Sequence, residues 1–179
     1  MRLPFEMFLL SEKLPVVFKL HMVTSAVALL LAPIVIFVRH RPHVHRSLGR
    51  VLGAFVVVGG LSALPVAIFS SSSLPARAGF FAQGFVWLTL LGLGIRAIRQ
   101  RDRARHARFM LAMVAVTTGA VWFRVFTGLA IYLHLPFEPV YAASAWLGWM
   151  IPLGLVWNWP AMTASVLKSP LVTGPLPSR

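Results

Sequence analysis

Residues 96–110 read RAIRQRDRARHARFM, and this stretch constrains the chain more than any other. It holds six arginines (Arg96, Arg99, Arg101, Arg103, Arg105, Arg108) against one acid, Asp102, and one histidine, His106. An apolar run leads into it and a longer one leaves it. Like charges at this density cannot lie in hydrocarbon, so the stretch stands at a membrane surface while its flanks cross. The positive-inside bias assigns that surface to the cytoplasm.

Composition agrees with lipid as the main solvent. The chain has 179 residues, 58% hydrophobic and 12% charged, with mean hydropathy +0.80. Soluble domains carry about a quarter charged residues, and a chain this short has too little interior to hide so much apolar surface. The net charge of +13 does not point to nucleic acid, because ten of the seventeen Lys and Arg sit in two short loops. Topology determinants facing anionic lipid explain them better. The absence of Cys excludes disulfides, thiol catalysis and thiolate-held metal. A cleavable signal peptide is not expected, since Glu6, Glu12, Lys13 and Pro15 interrupt the first apolar stretch.

The expected fold is all-α: a polytopic bundle of five spanning helices with an interfacial segment before it. Residues 1–19 are mixed in polarity and suit a helix lying on the membrane. Residues 20–159 form the bundle, and the Pro-, Ser- and Thr-rich residues 160–179 an irregular tail. Spans are expected at 20–38, 51–70 (starting as early as His45), 80–95, 109–133 and 141–159. Thr24, Ala28 and Ala32 make a small-residue stripe, and Gly49 with Gly53 a GxxxG, both suited to close helix approach. Pro33 is expected to kink the first span, and Gly59-Gly60 with Pro65 to weaken the middle of the second. A second basic loop, RHRPHVHRSLGR (39–50), lies opposite SSSLPARAG, whose one charge is Arg77. Tyr141, Trp146, Trp157 and Trp159 fall near the ends of the last span, where aromatic belts sit. The topology follows: multi-pass in a bacterial inner membrane, N-terminus outside and C-terminus cytoplasmic. The two basic turns share an R-x-R…H pattern, Arg39, Arg41 and His45 against Arg99, Arg101 and His106. Duplicated hairpins would explain this, as would two independent basic loops; basic loops being the default, the second is preferred.

HRSLGR (45–50), Gly59-Gly60, RQRDRARHARFM (99–110), Arg124 and AWLGWMIPL (145–153) in this order resemble an uncharacterised family of bacterial integral membrane proteins, known only as a domain of unknown function. The resemblance runs from about His21 to Asn158. The chain departs from the family pattern with His106-Ala107 where His-Arg is usual, and in having no Ala-Glu after Asn158. It implies a helical membrane protein and no particular activity.

Few residues could carry chemistry. His21 and His134 are expected at the outer ends of spans, and His45 and His106 at inner ends. Two such pairs are what a b-type cytochrome would use, and one histidine could hold a chlorin magnesium. Haem b or (bacterio)chlorophyll is therefore the alternative to the expected absence of a cofactor. Against it, these histidines adjoin charged loops rather than lying inside the apolar spans. Arg124 lies sixteen residues beyond Arg108, hence ~24 Å from the basic loop and within the outer half of the membrane. Arginine there needs a partner or must snorkel. Gln83, Glu138, Thr127 and carbonyls freed at Pro65 are candidates, with Arg124 and Gln83 the expected intramembrane pair. Arg46, Arg50, Arg101 and Arg105 are expected to meet lipid headgroups.

No nucleophile–base pair, phosphate loop, metal quartet or nucleotide motif occurs, so an enzyme is not expected. The first expectation is an accessory or structural subunit packed against a larger membrane complex, photosynthetic or respiratory. Its partners would be lipids and other membrane subunits, and not nucleic acid. A tetrapyrrole-binding redox protein and a small transporter or lipid-binding protein are the alternatives.

Overall fold

The computed structural model describes residues 10–159 together with Ala161 and Ala164. The first nine residues of the expected interfacial segment, and the expected tail apart from those two alanines, lie outside the described residues. The elements are α1 (Pro15–Phe37), a 3-10 turn (Val38–His40), α2 (Pro42–Phe69), α3 (Leu74–Arg99), α4 (Arg103–Thr117), α5 (Gly119–Tyr132) and α6 (Phe137–Asn158). No strand occurs among the described residues. Five spans are long and apolar enough to cross a membrane, with α4 and α5 together making one, Arg103–Tyr132. The fold is the expected all-α bundle.

Each of the five spans starts earlier than the hydropathy suggests. Proline occupies the first or second position of α1, α2 and α3, where its fixed φ and missing N–H suit a helix start. At α4 the Asp102 side chain caps instead, accepting from the Arg105 backbone N–H at 2.9 Å. Hydropathy reports the apolar layer, whereas the backbone goes on forming helical hydrogen bonds into the charged layer. His45 and His106 consequently lie in the first turns of α2 and α4, and not in loops.

The helices pack as three consecutive hairpins, α1–α2, α3–α4 and α5–α6. Between hairpins, α2 lies on α3, α6 lies against both α3 and α4, and α1 touches α4. The core is built from Ala28, Ala32 and Val35 of α1, Leu52 and Val56 of α2, Trp87, Leu90 and Leu91 of α3, Ala112, Met113 and Val116 of α4, and Trp149 of α6. The small-residue stripe of α1 is inside, with Thr24 5%, Ala28 0% and Ala32 1% exposed. Helix α5 gives nothing to this core. It packs on α6 and meets α4 only at their junction.

That junction divides the expected fourth helix. The Thr118 hydroxyl donates to the Ala115 carbonyl at 2.7 Å, and α5 restarts at Gly119. A Cβ on Gly119 would stand 2.5 Å from Gln83 Nε2 and 2.8 Å from the Trp149 Cβ. Only glycine lets three helices meet here.

Candidate functional site

The two basic turns are closed alike. His45 Nδ1 donates to the Val35 carbonyl of α1 at 3.0 Å, and His106 Nδ1 to the Gly94 carbonyl of α3 at 2.9 Å. Each ring joins the first turn of the returning helix to the last turns of the helix before it. The R-x-R…H likeness in sequence therefore has a counterpart in geometry.

Other bridges hold the opposite, serine-rich end and the middle. His21 on α1 donates from Nδ1 to the Gly59 carbonyl of α2 at 2.9 Å. Gln83 on α3 donates to the Val116 carbonyl of α4 at 3.1 Å. One turn deeper, the buried Trp87 indole N–H donates to Thr117 Oγ1 at 2.8 Å, and that hydroxyl donates to the Met113 carbonyl at 2.9 Å. Arg77 at the start of α3 caps the last turn of α2 through the Ala67 and Ile68 carbonyls. A buried side chain in lipid has no water to turn to, so these bonds fix helix rotation and register. Sequence reasoning missed the Trp87–Thr117 bond, the Arg77 cap and the seating of Arg108 over Trp157, 4.2 Å from the ring centre. Indole and hydroxyl in adjacent spans were visible signals; which faces met was not.

Arg124 does not take the expected partner. Gln83 donates its amide N–H to Val116 of α4, and Pro65 lies on α2, with which α5 makes no substantial contact. The Arg124 guanidinium bonds instead to the Ala120 carbonyl of its own helix at 2.8 Å. The side chain is exposed, on a face shared with Val121, Trp122, Val125 and Leu129. The reason is rotational: Gly119, Phe123, Thr127 and Ala130 turn toward α6, with Gly148 of α6 only 3.1 Å (measured from an added Cβ) from the Gly119 carbonyl. Arg124 is thereby carried to the opposite side. It lies eight residues before the helix end at Tyr132, or ~12 Å along the axis.

The expected headgroup arginines Arg46, Arg50, Arg101 and Arg105 are all exposed at the basic end. Arg105 pairs with Asp102 at 3.3 Å, and Arg101 turns the chain with φ 63°. A groove of about 310 Å³ opens between the end of α3 and the start of α4, lined by Leu93, Arg96, Ala97, Gln100, Arg105 and Phe109. His134 occupies the α5–α6 turn with φ 54°.

As tetrapyrrole ligands the histidines are half suited. With Nδ1–H held by a carbonyl, His21, His45 and His106 each keep the Nε2 lone pair, the form an axial ligand needs. The bis-histidine arrangement does not fit, because His45 and His106 close separate hairpins whose shared interior is filled by Leu52, Leu91, Ala112 and Met113. Among the described residues no group of three His, Cys, Asp or Glu could hold a metal ion.

No curated protein and no solved structure matches the chain. A family model described as a predicted membrane protein, DUF2306, matches residues 18–159 and so takes in all but the first turn of the five spans; the chain belongs to this family of unknown function.

Proposed function

We propose that the protein is a non-enzymatic accessory subunit that packs against a larger photosynthetic or respiratory membrane complex, with the outer face of α5 as its contact. One observation carries this reading: Arg124 is exposed on the outer face of α5, inside a span apolar enough to cross a membrane, and among the described residues its acceptor is a carbonyl of its own helix. Such a cation costs at least a few kcal/mol unless it is paired. Gly128, one turn on, has nothing within 4 Å of where a Cβ would stand, which leaves room for a close helix approach. The fitting partner is a spanning helix that brings a carboxylate or an exposed carbonyl to Arg124. In the proposed topology the arginine end faces the cytoplasm of a bacterial inner membrane, the N-terminus lies outside and the C-terminus inside.

Extraction in mild detergent tests this. The wild-type chain is expected to elute in a complex well above 19.7 kDa, and Arg124→Leu to elute apart from it while keeping its own fold. Co-elution of Arg124→Leu with the same complex would refute α5 as the contact. Reporter fusions after Val44 and Gln100 are expected to read cytoplasmic, and one within 71–73 external.

A second reading, a tetrapyrrole carrier, is favoured by the three histidines whose Nδ1 is held and Nε2 is free. The absorption spectrum of the purified protein separates the two. We expect no Soret band of its own; a stoichiometric one lost in His45→Ala or His106→Ala would install the second reading instead.

A further inference from the structure

We infer that the groove between α3 and α4 at the basic end is a binding site for the phosphate of an anionic phospholipid, with an acyl chain lying along its apolar wall. The inference is independent of the α5 contact, which lies toward the other end of the bundle. Three features of the groove carry it.

The first is a donor set drawn from two helices. Arg96 and Gln100 come from the last turn of α3 and its cap, and Arg105 from the first turn of α4. Two guanidinium forks and an amide offer donors from both sides of one opening, matching the acceptor-only oxygens of a phosphodiester. Asp102 holds Arg105 through Nε, which leaves the two terminal nitrogens of that fork to face a ligand. Among the described residues Arg96 has no acceptor.

The second is the wall. Leu93, Arg96, Ala97 and Gln100 stand at i, i+3, i+4 and i+7 on α3, and Arg105 and Phe109 at i and i+4 on α4. Each helix therefore presents polar groups at the membrane surface and, about a turn deeper, an apolar side chain, Leu93 on α3 and Phe109 on α4, with Ala97 flooring the opening between Arg96 and Gln100. A free phosphate would need only the polar half. A phospholipid uses both.

The third is rigidity. His106 ties α4 to Gly94 of α3 at 2.9 Å, and the turn between is closed by the Asp102 N–H to the Ala97 carbonyl at 3.0 Å. The two halves of the groove are thus fixed relative to each other before any ligand arrives. The neighbouring Arg99, Arg101 and Arg103 are exposed and raise the local positive potential, but they do not line the opening.

Native mass spectrometry of the full chain in mild detergent, titrated with phosphatidylglycerol or phosphatidylcholine, tests the site. Phosphatidylglycerol is expected to stay bound as one adduct and phosphatidylcholine to leave. The variant Arg96→Gln/Arg105→Gln should weaken phosphatidylglycerol binding at least about tenfold more than Arg99→Gln/Arg103→Gln, which removes the same charge outside the groove. If the first variant assembles poorly, Arg96→Lys/Arg105→Lys keeps the charge but not the forks, and is expected to show the same loss relative to Arg99→Lys/Arg103→Lys. Equal losses in the paired variants would mean diffuse attraction to a basic surface, and the site would be wrong. Displacement of the lipid by millimolar inorganic phosphate would overturn the assignment to a phospholipid.

Discussion

Helices α1–α4 and helix α5 differ in how far their polar side chains reach. In the first group His21, His45, Gln83, Trp87 and His106 each bond across to a neighbouring helix. In α5 both Arg124 and Thr127 bond to carbonyls of their own helix. The difference teaches what holds such a bundle together. Lipid offers no hydrophobic drive between helices, so association rests on close packing and on bridging hydrogen bonds. The four clasped helices have both. Helix α5 has packing without such a bridge, against α6 and, through Phe123 on Phe80, against α3; its other face is exposed.

The contrast can be broken most sharply at glycine. Gly119→Val should destabilise the detergent-solubilised protein by about 3 kcal/mol, since the added atoms meet Gln83 and Trp149 and overpacking at a fixed junction is costly. Gly128→Val, on the open face of the same helix, should leave thermal unfolding of the isolated chain unchanged yet abolish co-elution with the complex. Comparable losses of stability in both variants would mean that α5 is packed on both sides.

The bridging bonds are the next lever. Gln83→Leu should lose about 1 kcal/mol in a denaturation series, the scale of an interhelical hydrogen bond in a membrane. His45→Phe and His106→Phe should each lose a similar amount, and the double variant their sum, because the two rings close separate hairpins and share no partner. A strongly non-additive double variant would show the hairpins to be coupled at the basic end.

The smallest effect is expected at Arg124. In the isolated chain Arg124→Leu should change stability by less than about 0.5 kcal/mol, or raise it, because the guanidinium has no interhelical partner among the described residues to lose. A loss above about 1 kcal/mol would place the guanidinium inside the bundle and remove the contrast with α1–α4.

Much of the fold was legible without coordinates. The five apolar runs, the two arginine-rich turns and the small-residue stripe at Thr24, Ala28 and Ala32 are properties each segment holds with respect to its solvent, and lipid and water read them one residue at a time. The helix starts were less legible, because Pro15, Pro42 and Asp102 extend helices beyond the apolar layer that hydropathy measures. The candidate site was legible only as a set of residue types. His45, His106, Arg105 and Arg124 were recognisable as groups that need acceptors or ligands, but not which ones they would find.

Partner choice depends on the rotation of each helix about its own axis, and that is fixed jointly by all the helices around it. The break at Thr118–Gly119 turns Phe123 and Thr127 toward α6 and so swings Arg124 outward, away from Gln83. The clasp of His106 on Gly94 brings Arg96 and Arg105, nine residues apart in the chain, to the two sides of one groove. Sequence by itself determined which segments enter the membrane and which charges stay at its surface, because transfer to lipid is a property of each segment. Only the tertiary structure decided which polar groups meet, because a hydrogen bond in lipid is a property of two helices at one mutual rotation.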